Sequence, residues 1–70
     1  MTEIIFLVED AEEGGFIARA LGEGIFTEAE TVEELRLNIK EAVACYFDDN
    51  DENKPKIIRM HMVKQEVFAV

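Results

Sequence analysis

Residues 23–43 read EGIFTEAETVEELRLNIKEAV. The chain changes period inside this stretch. Ile25-Phe26-Thr27-Glu28-Ala29 has the β-branched and aromatic character of a strand, whereas from Val32 onward apolar residues recur every three or four positions. Thr31-Val32-Glu33-Glu34 marks the switch. It matches a capping box, in which the threonine oxygen accepts from an early helical N–H and Glu34 reaches back to close the first turn. Glu33 and Glu34 also put negative charge at the positive end of the helix dipole. At about 100° per residue, Val32, Leu35, Ile39, Ala42, Val43, Tyr46 and Phe47 fall within an arc of roughly 140°. One wide apolar face of this kind is suited to lying on a sheet. Lys40, Glu41, Glu33 and Asp48 fill the opposite side, where Leu37 and Ala44 are isolated apolar residues of the sort that surfaces commonly carry.

Upstream, Glu3-Ile4-Ile5-Phe6-Leu7-Val8-Glu9 is a nearly continuous apolar run and predicts a strand buried on both faces. Asp10-Ala11-Glu12-Glu13-Gly14-Gly15 predicts a turn whose two glycines can take positive φ. Phe16–Leu21 predicts a second strand, and Gly22-Glu23-Gly24 turns the chain into the third, Ile25–Ala29. Three strands in a meander are the minimum that can present an apolar face to a helix. Downstream, the polar run from Asp48 to Pro55 ends the helix, and Lys56–Gln65 predicts a fourth strand. Ile58, Met60 and Met62 would share one of its faces, and Ile57, Arg59, His61, Val63 and Gln65 the other. The pattern is an α+β fold within a single domain, residues 1–70: a three-stranded antiparallel β-meander, one helix packed on it, then a further strand.

A 70-residue chain buries only roughly 60% of its unfolded surface. One cysteine and no paired metal-ligand spacing leave neither disulfides nor zinc to staple it. That leaves tight packing or self-association to supply the missing stability, and a homo-oligomer, dimer or tetramer, is expected. The tail Glu66-Val67-Phe68-Ala69-Val70 is apolar where exposed ends are normally polar, which makes Val67, Phe68 and Val70 the candidates for self-association. A net charge of −9 argues against direct nucleic-acid binding, which needs clustered Lys and Arg, and against anionic membranes. It suits a basic partner protein, by electrostatic steering. Met1-Thr2-Glu3 lacks a basic n-region, and no apolar run approaches the roughly 20 residues of a membrane span. A lone thiol without a secretion signal fits a reducing compartment, so the expected location is the cytoplasm.

Nothing in the chain assembles a catalytic set, and neither a cofactor nor a metal is expected. The acidic run Asp48-Asp49-Asn50-Asp51-Glu52 lacks the glycine and spacing of an EF-hand loop. His61 is the only histidine, on a strand face beside Arg59 and without a nucleophile. Cys45 falls on the flank of the helix, where no local cation activates it, and a buried or half-buried thiol is expected. Glu12-Glu13-Gly14-Gly15 would repel phosphate rather than cradle it. Met60 and Met62 read as core. By elimination the chain reads as a binding or assembly protein.

Two stretches resemble HicB-type antitoxins. Ile4 to Ala18 resembles their opening, an apolar strand, an acidic turn ending in Gly-Gly-aromatic (Gly14-Gly15-Phe16) and a second strand. Gly24, Thr27 and Thr31 match their next turn, and Glu33, Glu34, Asn38, Glu41 and Ala42 match the helix that follows. The likeness spans residues 3 to about 49. Ala29-Glu30 stands where Gly-Asp is usual, Leu35 where alanine is usual, and the loop Leu21–Gly24 is shorter. The resemblance implies a partial ribonuclease-H-like fold whose domain masks a small basic ribonuclease toxin by occlusion, with no chemistry of its own. The separate DNA-binding segment of that family has no counterpart before Val70, so no operator binding is expected. On this reading Asp10, Glu12, Glu13, Glu33, Glu41 and Asp48 steer the toxin and Leu37 adds apolar contact. The alternative is an orphan structural or adaptor module of the same fold with no toxin, self-associating through the fourth strand and the tail.

Overall fold

The computed structural model describes residues 2–64 and 66–70. Its elements run β1 (Glu3–Asp10), β2 (Phe16–Ala20), β3 (Phe26–Ala29), α1 (Val32–Tyr46) and β4 (Ile57–Met62). The fold is α+β in the expected order. Boundaries shift by one to three residues: Leu21 falls in the turn, Ile25 precedes β3, and β4 is shorter than Lys56–Gln65, with Gln65 outside the described residues.

The four strands form one sheet in the order β3-β2-β1-β4. β1, β2 and β3 are the antiparallel meander, while β4 pairs with β1 in parallel, Glu3 opposite Ile57 and Val8 opposite Met62. The sheet is therefore mixed. Connectivity dictates this: β3 runs in the direction of β1, the helix carries the chain back, and β4 sets out again in the same direction. The Lys56 and Ile57 N–H groups both donate to the Thr2 carbonyl at 3.0 Å, which fixes where β4 begins.

Strand alternation and the pairing register together sort the side chains into two faces. Ile4, Phe6 and Val8 of β1, Ala18 and Ala20 of β2 and Ile25 join Leu35, Ile39, Val43 and Phe47 in one buried core, with Phe16, Ala29, Ala42, Ile58 and Met60 packed at its margin. The opposite face carries Ile5 and Leu7, Ile17, Phe26 and Ile57, half-buried or exposed. This corrects the reading of β1 as buried on both faces. A single helix can cover one side of a sheet, and nothing among the described residues covers the other. Arg59 Nη2 bridges Glu3 Oε2 at 3.1 Å on this open face, and the exposed His61 lies beside them.

The helix starts where the sequence places it. Thr31 is the N-cap, and its Oγ1 accepts from the Glu34 N–H at 3.1 Å. The return arm of the capping box is not made among the described residues, where Glu34 is exposed. At the far end Phe47 is the C-cap, donating its N–H to Val43. Tyr46 projects between Leu35 and Ile39 but is the last residue of the helix; it is half exposed and meets Phe47 edge-on with ring centroids 5.0 Å apart. Cys45 is exposed rather than buried, because the helix rolls toward its Leu35–Ile39–Val43 line and leaves that flank to solvent. Asn38 Nδ2 donates to the Glu28 carbonyl at 3.0 Å, tying the middle of the helix to edge strand β3. The helix consequently approaches β3 and β2 more closely than β4.

Two carboxylates of the acidic loop are engaged within the loop itself. Asp51 Oδ1 accepts from the Asn53 N–H at 2.8 Å, an Asx turn. Asp49 Oδ1 pairs with Lys54 Nζ at 2.8 Å.

Candidate functional site

The β1–β2 turn builds the most distinctive surface feature. After Asp10, the Ala11 N–H donates to the Gly15 carbonyl and the Gly14 N–H to the Ala11 carbonyl, closing a tight loop. Gly14 and Gly15 take φ of 102° and 80°, a region that side chains with a Cβ enter at a cost. Gly15 is constrained twice over. A Cβ placed there would lie 2.6 Å from the Ala29 carbonyl oxygen and 3.3 Å from the Glu30 Cα. Only a glycine lets this turn lie down on the junction between β3 and α1.

That close approach has an electrostatic result. It brings Glu12 and Glu13 of the turn to Glu28 and Glu30 of the β3 end and Glu34 of the first helical turn, around an open cleft of about 650 Å³. Phe16, Ile17 and Ala29 supply its apolar floor. Among the described residues no lysine or arginine lines the cleft, so the negative potential there is uncompensated from within. Each exposed carboxylate is worth little by itself against a partner cation, about 0.2–1 kcal/mol. Several of one sign around a concave surface raise the local concentration of cationic groups and speed their arrival. The glutamates do not converge on a point: among the described residues no three His, Cys, Asp or Glu are grouped so as to hold a metal ion.

The expected contact residues divide between two places. Glu12 and Glu13 line the cleft, and Asp10 is exposed at the end of β1 beside it. Glu33, Leu37 and Glu41 are exposed one helical turn apart, a separate line along α1, and Asp48 lies just beyond the helix. Leu37 is 63% exposed. Glu28, Glu30 and Glu34 were not among the expected contact residues. The acidic density of Thr27–Glu34 was the available signal; what was missing was that the glycine turn folds onto it. Val67, Phe68 and Val70 extend away from the domain without docking on its core, Val67 93% and Phe68 81% exposed. Among the described residues, no helix is long and apolar enough to cross a membrane.

Fold and cleft together define a small acidic α+β domain that presents a carboxylate-lined surface. The chain is 41% identical over 68 residues to a UPF0150 protein of Thermotoga maritima, spanning 97% of this chain and 93% of that one. It is 47% identical over 54 residues to a UPF0150 protein of Archaeoglobus fulgidus, 77% of each. It belongs to the UPF0150 family. No family model and no solved structure matches it.

Proposed function

We propose that this UPF0150 protein is a HicB-like binding protein of the cytoplasm that neutralises a small basic ribonuclease toxin by occlusion, without catalysis. The observation that carries the reading is the cleft in which Glu12, Glu13, Glu28, Glu30 and Glu34 meet with no cation among its lining residues. The net charge of −9 adds a long-range attraction for a basic partner. The Gly14-Gly15-Phe16 and Thr31–Ala42 patterns shared with HicB-type antitoxins supply the specific candidate. In this scheme cationic side chains of the toxin enter the cleft, Phe16 and Ile17 take apolar contact, and the helical line Glu33–Leu37–Glu41 flanks the bound partner.

The test is capture from a lysate of the native host at low salt, with the wild-type chain and with a Glu12→Gln/Glu13→Gln/Glu28→Gln/Glu30→Gln variant as baits. The expected result is one small basic protein, released as salt rises and poorly held by the variant. Its ribonuclease activity falls when the wild-type chain is added back. Retention that ignores both salt and the variant, or a captured protein whose activity is not inhibited, overturns the reading. The second reading, a self-associating adaptor module of the same fold with no toxin, draws on the exposed tail Val67–Val70. A pull-down that holds no basic protein, from a bait that is itself a stable oligomer, favours it.

A further inference from the structure

We infer that the tail Glu66–Val70 of one copy adds to the free edge of β4 in a second copy and seats Phe68 in the groove between β4 and α1. Because α1 sits nearer to β3 and β2, the helix-side face of β4 is incompletely roofed. The gap is a groove of about 220 Å³ with an apolar floor of Ile39, Ile58 and Met60 and a rim of Arg36 and Lys40. It is smaller than the roughly 300–1,000 Å³ of small-ligand clefts, a size for one large side chain rather than for a metabolite. The rim is notable in a chain with seven lysines and arginines against sixteen acids. Among the described residues neither Arg36 nor Lys40 is in an ion pair.

The tail carries the matching chemistry. In an extended segment alternate side chains share a side, which places Glu66, Phe68 and Val70 together: one acid and two apolar groups, for a basic rim and an apolar floor. Among the described residues β4 pairs only with β1 and leaves its other edge open at the end of the sheet, the arrangement to which an extended peptide adds as a further strand. The tail's own chain is the less suited acceptor. To come back on Ile58 and Met60 it would have to reverse directly after β4, and Val63-Lys64-Gln65-Glu66 contains no Gly, Pro, Asn, Asp or Ser to make the turn. The described structure sends it outward, and the molecule extends 52 Å along one axis against 20 and 17 Å along the others. Two copies exchanging tails would satisfy both grooves in one closed, two-fold dimer.

The experiment uses the purified full chain alone, so its outcome is independent of whether a toxin exists. Sedimentation over a concentration series is compared for wild type, Phe68→Asp, Lys40→Glu, and the charge exchange Lys40→Glu/Glu66→Lys, with circular dichroism confirming that each is folded. Wild type is expected to dimerise and Phe68→Asp to be monomeric with an unchanged spectrum. Lys40→Glu should raise the dissociation constant roughly tenfold, and the exchange should recover most of that loss. A monomeric wild type, a dimer indifferent to Phe68→Asp, or an exchange variant no better than Lys40→Glu would overturn the assignment.

Discussion

Phe6 and Met60 are partners in the β1–β4 register and face the same side of the sheet, yet Phe6 is fully buried and Met60 only half so. The cause is how each strand is joined to the helix. β3 runs into α1 almost without a linker, and Asn38 binds it again from the middle of the helix, so α1 is held over β3, β2 and the near side of β1. β4 arrives after a long polar loop and, among the described residues, takes its backbone hydrogen bonds from β1 and the Thr2 carbonyl. Similar apolar side chains thus form a sealed core on one side and an open groove on the other. Connection length to the covering helix, more than hydrophobicity, decided which.

The sharpest way to break this contrast is to cut into the sealed side. Phe6→Ala removes a fully buried ring and should cost about 3–5 kcal/mol, a large share of the roughly 4–10 kcal/mol expected for a domain of this size. Met62→Ala, on the helix-side face of β4 but 45% exposed, should cost less than about 1 kcal/mol. Urea unfolding of the two would settle it, and equal losses would mean that β4 is as well covered as β1. The turn offers a second paired test. Gly15→Ala combines a positive φ with a contact to the Ala29 carbonyl and should lose about 2–4 kcal/mol. Gly14→Ala has the positive φ but open space and should lose about 1 kcal/mol. If the two were alike, the turn would not rest on the β3–α1 junction.

Smaller effects belong to the helix start and the acidic loop. Thr31→Ala removes the cap on the Glu34 N–H and should cost about 1 kcal/mol, seen as lower thermal stability. The weakest contribution is that of Asp49, whose carboxyl is held below the usual aspartate range by its hydrogen bond to Lys54 and then by the charge of that lysine. A folded-state value below the unfolded one means that the stabilisation is present above the unfolded value, near pH 4, and fades as pH falls through the lower folded value. Asp49→Asn should erase that component of acid sensitivity and leave stability near neutral pH almost unchanged. Its small cost should be greater at pH 7 than at pH 3, and a loss at pH 3 equal to or larger than that at pH 7 would contradict it.

The helix and its cap were legible because their signals are local: the 3.6-residue period and Thr31-x-x-Glu34 need only neighbours along the chain. The face assignment of β4 followed equally from alternation. The Thr31-x-x-Glu34 pattern also implied a return arm from Glu34, which is not made among the described residues because that side chain stays exposed. Cys45 was misplaced because a helical projection gives angles around the axis but not how far the helix rolls on its sheet. The run Ile4–Val8 suggested cover on both faces because apolar content does not say how many layers a short chain can build.

By itself, then, the sequence determined the element order, the helix face and the glycine-dependent turn, all set by backbone preferences and periodicities acting over a few residues. Tertiary structure alone decided that β4 runs parallel beside β1, that one sheet face stays open, that five glutamates from three elements share a cleft, and that a groove remains beside β4. Those depend on where distant segments come to rest. That is governed by connection lengths and close backbone contacts such as Gly15 on Ala29, which no local pattern encodes.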